Sequence, residues 1–150
     1  MPYVDAGACP FEGCVYREWT ARVPVQVLAE RRDDAPVAFT VAEGERVTGV
    51  TGVVVVTRPG RITFTAPVTI ETSGGHFEMQ RGETIYLLTP IGEGHHVAAI
   101  RGRIIRDVDG GVGELVEPVQ YDWWAQVRNA EGRAGWVRMM RQFDGTDRLA

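Results

Sequence analysis

Trp123-Trp124-Ala125-Gln126-Val127-Arg128-Asn129-Ala130-Glu131-Gly132-Arg133-Ala134-Gly135-Trp136-Val137 reads as one β-hairpin. Two apolar runs flank a polar turn ending in Gly132. Three of the chain's four tryptophans fall within it, so the chain concentrates its aromatic surface here. Side chains alternate along a strand, which puts Trp123, Ala125 and Val127 on one face and Trp124, Gln126 and Arg128 on the other. The first face is apolar and is expected to be core. Trp124 is then the tryptophan expected on the surface, the alternative being that it lies under an added hairpin at residues 97 to 116 or against the N-terminal arm.

Working outward, short apolar runs broken by Gly, Pro and Asp predict an all-β chain. Val23, Val25 and Val27 alternate on one strand, which Pro24 confines to an edge or a strand start. Val37, Phe39 and Val41 alternate on the next, and Ala42-Glu43-Gly44-Glu45 turns the chain. Val53 to Val56 form a continuous apolar run expected as a short buried strand, with Thr57-Arg58-Pro59-Gly60 turning it back into Ile62-Thr63-Phe64-Thr65. Gly82-Glu83-Thr84-Ile85 echoes Gly44-Glu45-Arg46-Val47, a weak internal repeat. Between Ile85 and Trp123 the second copy looks interrupted by an added β-hairpin at residues 97 to 116, where many glycines argue against a helix. One short helical turn is expected over Met139 to Phe143.

The 150 residues carry a net charge of -4, with 44% hydrophobic and 24% charged residues, the balance of a folded domain. That charge offers no broad attraction to nucleic acid or anionic lipid. All 16 basic residues are arginine, which removes Schiff-base chemistry and a phosphate-loop lysine. No stretch has the length of a membrane span, so no membrane insertion is expected. Cys9 and Cys14 frame Pro10-Phe11-Glu12-Gly13, a loop able to turn back on itself and close a disulfide. The alternatives are two reduced cysteines and half of a metal site. An even cysteine count favours an oxidising compartment. A periplasmic or secreted protein is expected, with its signal peptide absent from the sequence given.

Trp124-Ala125-Gln126-Val127-Arg128, the turn with Gly132, and Gly135-Trp136-Val137 resemble the closing hairpin of bacterial SH3-like (SH3b) domains. In that family a Trp is followed three residues later by Val, then by a Gly-containing turn and Gly-Trp-Val. The resemblance implies two small SH3-like β-barrels in tandem, the second with an inserted β-hairpin. The expected divisions are an N-terminal arm at 1–18, a degenerate first domain at 19–80 and a second domain at 81–150. It also implies a ligand surface on the second domain, formed by Trp124, Trp136, Tyr121 and Arg128. Val137 is followed by Arg138-Met139-Met140-Arg141 and not by the Pro and Tyr of a polyproline groove, so PxxP ligands are not expected.

Catalytic patterns are weak. Ser73, the only serine, lies in a Gly-rich turn without a nucleophile elbow. Cys9 and Cys14 beside His76, His95 or His96 match no known motif, and a mutual disulfide would silence both thiols. Adjacent His95 and His96 would share a zinc ion only from an irregular loop. Glu43 and Glu45 sit at a turn with no apolar pocket to separate their pKa values. The expectation is therefore a non-catalytic cell-envelope module without a cofactor, binding a peptide, a peptidoglycan fragment or a protein partner. Its alternatives are a small metal-dependent hydrolase using His95 or His96, and a structural assembly subunit pairing through the added hairpin.

Overall fold

A computed structural model describes residues 2–150. Every regular element among them is a β-strand. In chain order these are β1 (Tyr3–Ala6), β2 (Glu18–Ala21), β3 (Val25–Leu28), β4 (Val37–Val41), β5 (Arg46–Arg58), β6 (Gly60–Thr63), β7 (Val68–Thr72) and β8 (Gly75–Met79). They continue with β9 (Thr84–Gly92), β10 (His95–Ile100), β11 (Arg103–Asp109), β12 (Glu114–Glu117), β13 (Gln120–Arg128), β14 (Ala134–Arg138) and β15 (Phe143–Asp144). The helical turn expected near Met139 is absent, and its last residue, Phe143, starts β15.

The chain divides into two compact units, and the division is nested. One unit is Val56–Tyr121 with residues 2–3; the other is Val4–Val55 with Asp122–Ala150. We call them the inserted and the outer unit. The expected boundary between residues 80 and 81 falls inside the inserted unit, in the turn between β8 and β9. The Gly-Glu echo at Gly82-Glu83 marks the start of a strand and not of a unit.

In the outer unit the sheet runs β15-β2-β5-β13-β14-β3-β4, with β1 added on β5, and it curls into a half-barrel. Its core is built by alternation. Trp19 and Ala21, Val25 and Val27, Phe39 and Val41, Ala125 and Val127 take every second position of their strands and bury them together with Val47, Val137 and Phe143. Val23 and Val37, expected on those inward faces, are about half exposed. Val23 precedes β3, and at Val37 the ladder slips, since Val27 pairs with Phe39 but Leu28 with Val37.

In the inserted unit β11-β10-β9-β6-β12 form one sheet and β7-β8 a separate hairpin, around a core that includes Ile62, Phe64, Ile70, Phe77, Ile85 and Ile100. Most strand pairings recur in both units, although β14 pairs β3 whereas β7-β8 stays apart from β11. β2 pairs β5 as β6 pairs β9; the hairpin β3-β4 corresponds to β7-β8, β13-β14 to β10-β11, and β15 on β2 to β12 on β6. The two Gly-Glu turns match in detail. Gly44 and Gly82 both have φ near +85°, the left-handed region that glycine enters without strain. The Glu45 amide donates to Ala42 O and the Glu83 amide to Gln80 O, while each Glu carboxylate accepts from the first amide of its own turn. Gly44 and Glu45 exchange backbone hydrogen bonds with Ala21, as Gly82 and Glu83 do with Phe64.

Two expectations are corrected by this topology. The four-valine run belongs to the thirteen-residue β5, and β5 does not return into β6, which pairs with β9 and β12 instead. The hairpin taken as an addition is β10-β11, the inserted unit's own counterpart of the tryptophan hairpin, turned at Arg101-Gly102 with φ positive at both residues. Residues 114–117 pair with β6, not with β11.

Candidate functional site

The tryptophan hairpin forms as β13 and β14, in register from Trp124 opposite Arg138 to Arg128 opposite Ala134. Gly132 closes its turn with φ +84°, and Asn129 Oδ1 accepts from the Glu131 and Arg133 amides. Trp123 lies on the core side as expected, packed on the core of the outer unit and half-buried. Trp124 does not lie on the surface: it is 5% exposed. The alternation rule fails because consecutive residues are buried here, Gly52 to Val54 on β5 and Trp124 with Ala125 on β13. Both faces of the sheet are covered at that point.

Trp136 does reach the surface. Residues directly opposite in a ladder share a face. Trp136 is paired with Gln126 on one side and Leu28 on the other, and Leu28 with Val37, so Gln126, Trp136, Leu28 and Val37 form one row across β13, β14, β3 and β4. Gln126, Trp136 and Leu28 are half-buried and Val37 is 47% exposed. The row faces away from the core, which takes the neighbouring Val27, Val127 and Val137. Beside it Arg138 donates to Asp122 at 2.6 Å and to Asp33 at 3.3 Å, and this pairing holds the guanidinium firmly charged. Arg128 lies along the same face, exposed, at the rim of a shallow pocket of about 220 Å³ shared with Glu18, Arg46 and Asn129.

Tyr121 stands apart from this set. It closes the inserted unit, 38% exposed, its phenol pushed up by burial. Of the four expected ligand residues, then, Trp136 and Arg128 share an accessible face, Trp124 is buried, and Tyr121 belongs to the other unit. Leu28 and Val37 also lie on the face of Trp136. Their signal was weak, because the slip that turns Val37 outward is a bulge, and a bulge leaves no mark on a strictly alternating sequence.

Cys9 and Cys14 are joined in a disulfide, so neither is a nucleophile or a metal ligand. The residues around them are tied into the outer unit and do not form a loose arm. The Cys14 backbone bridges to Asp147, and the Arg148 amide donates to Gly13 O. Phe11 meets Trp123 edge-on at 5.7 Å. The Trp123 indole N–H donates to Tyr16 Oη at 2.8 Å, and Tyr16 donates to Ala8 O at 2.5 Å.

Burial pushes the Tyr16 phenol up to about 12, against a weaker opposing effect of its bond from Trp123. A pKa raised above the unfolded value of 10.0 favours folding fully below pH 10, and that contribution is lost as pH rises from 10 to about 12. The expected result is a fall in the midpoint of thermal unfolding across that window, and a smaller fall in Tyr16→Phe. Equal falls in the two proteins would refute the assignment to Tyr16.

His95 and His96 occupy an irregular stretch of β10, with ladder slips on both sides of His96. His95 Nδ1 is 2.7 Å from Asp107 Oδ1, which holds the imidazole above its usual pKa; His96 is held below it, by burial first. His95 and Asp107 line a cleft of about 350 Å³ with Glu71, Ser73 and Asp109. Among the described residues no three His, Cys, Asp or Glu side chains are arranged to hold a metal ion. No protein-family model, curated protein or solved structure matches the chain.

Proposed function

We propose that the protein is a non-catalytic binding module of the cell envelope, built from two SH3-like units of which the second is inserted into the first. The strand pairings that recur in both units and the twin Gly-Glu turns support two copies of one unit. The disulfide is compatible with an oxidising location, and we place the protein in the periplasm or outside the cell. The ligand surface is the outward face of the outer unit, and its targets are a cell-wall fragment, a peptide or a protein partner.

The observation that carries this reading is the cross-strand row Gln126–Trp136–Leu28–Val37. It sets an aromatic plane and apolar area beside amide and charged groups on a rigid sheet, the combination that small binding sites use. Binding of the whole protein to purified peptidoglycan sacculi, with soluble fragments then mapped by amide and indole chemical shifts, tests it. Shifts should centre on Gln126, Trp136 and Leu28. Shifts confined to residues 56–121 would refute this placement.

A further inference from the structure

Resting on that reading, we infer that the cleft beside Arg128, at one end of the outward face, is a subsite for a single carboxylate, so that the outer unit takes cell-wall fragments bearing one.

Arg128 is a free charge on this face. Arg138 is divided between Asp122 and Asp33, whereas among the described residues Arg128 has no hydrogen bond, ion pair or ring partner. It is exposed at the end of β13, and the residue opposite it in the ladder is Ala134, too small to cover it. The ladder fixes its backbone, so the guanidinium extends from a rigid strand and not from a loose loop. The paired N–H groups of a guanidinium match a carboxylate in both geometry and charge.

The cleft balances to one positive charge. Its charged lining is Arg128, Arg46 and Glu18, and Arg46 donates to Glu18 at 3.1 Å. Asn129 lines it as well. Since Asn129 Oδ1 already accepts from the Glu131 and Arg133 amides, only its NH2 group is left for a ligand. A single surplus positive charge with spare N–H donors selects a monoanion. A doubly charged phosphate would face the Glu18 carboxylate with half of its charge unanswered.

Size makes this a subsite and not a whole site. The cleft holds about 220 Å³, less than the roughly 300–1,000 Å³ of complete small-molecule sites. It receives one end group, and the rest of the ligand lies along the face. Gln126 follows Arg128 on the same side of β13, about 7 Å away, and is paired with Trp136. A fragment with its carboxylate at Arg128 therefore continues onto the indole.

The test uses the whole protein and pairs of probes that differ by one carboxylate: acetylated D-alanyl-D-alanine beside its C-terminal amide, and N-acetylmuramic acid beside N-acetylglucosamine. Binding is followed by chemical shifts. In at least one pair the acid is expected to shift Arg128 and Asn129 and to bind at least about fivefold more tightly than its neutral counterpart. The pair that discriminates tells whether the carboxylate comes from a peptide end or from the lactyl group of the sugar. Arg128→Gln should abolish the preference while moving the unfolding midpoint by less than about 4 °C, because the guanidinium has no partner to lose. Acid and neutral probes bound equally on the face, or a preference that survives in Arg128→Gln, would overturn the carboxylate subsite and leave the binding surface standing. Inorganic phosphate held at Arg128 more tightly than either acid would also overturn it. If neither the probes nor intact sacculi bind, the subsite and the proposed function fail together.

Discussion

Trp19→Ala is expected to cost about 3–5 kcal/mol, the usual range for removing a large buried aromatic, and to lower the unfolding midpoint by about 10 °C or more. Trp19 is 1% exposed at the centre of the outer unit, between Tyr16, Trp123 and Phe143. Its indole N–H donates to Val15 O, and its six-membered ring lies so close to the Gly49 backbone that a Cβ there would sit 2.7 Å from it. The cavity left by truncation adds to the lost burial. Since small domains have only about 5–15 kcal/mol of stability, much of the margin would go. Thermal and denaturant unfolding followed by circular dichroism check this; a loss below about 1 kcal/mol would refute the central position of Trp19.

Gly135→Val should be comparably damaging for a different reason. β14 meets β3 where Trp136 pairs with Leu28, and a Cβ at Gly135 would lie 2.6 Å from Leu28 O and 2.7 Å from a Val27 methyl. Backbone cannot move aside as a flexible side chain can, so the substitution should prise β3 from β14 and cost about 3 kcal/mol. It should also raise amide hydrogen exchange at Leu28 and Trp136 well beyond that in the inserted unit. Uniform exchange throughout the chain would contradict a local separation.

Much of the fold is legible in the sequence because alternation survives where only one face of a strand is buried. Phe39 with Val41, Val25 with Val27, and Trp123 with Ala125 and Val127 all fall on the core as their spacing predicts. The Cys9–Cys14 pair is legible from its short loop. Legibility ends where both faces are buried, as at Val53, Val54 and Trp124, because alternation then carries no information. It also ends where topology is set by long-range pairing. The echo of Gly44-Glu45 in Gly82-Glu83 is seen in the sequence, but which hairpin completes which unit depends on β5 pairing with β13 across the whole inserted unit. Local sequence cannot express that choice, and so it does not show that the tryptophan hairpin belongs with Val4–Val55. Of the residues on the proposed surface, Trp136 and Arg128 are singled out by the hairpin sequence, whereas Leu28, Val37 and the Asp33–Arg138–Asp122 pairing come together only through the sheet.

The proposed binding surface depends on Trp136, whose side chain lies outside the cores of both units. The decisive measurement is co-sedimentation of Trp136→Ala with purified sacculi, beside wild type, after confirming that the variant's unfolding midpoint stays within about 4 °C. Binding at least about tenfold weaker is the result expected if the outward face of the outer unit is the ligand surface. A folded Trp136→Ala protein that sediments as wild type does would contradict it.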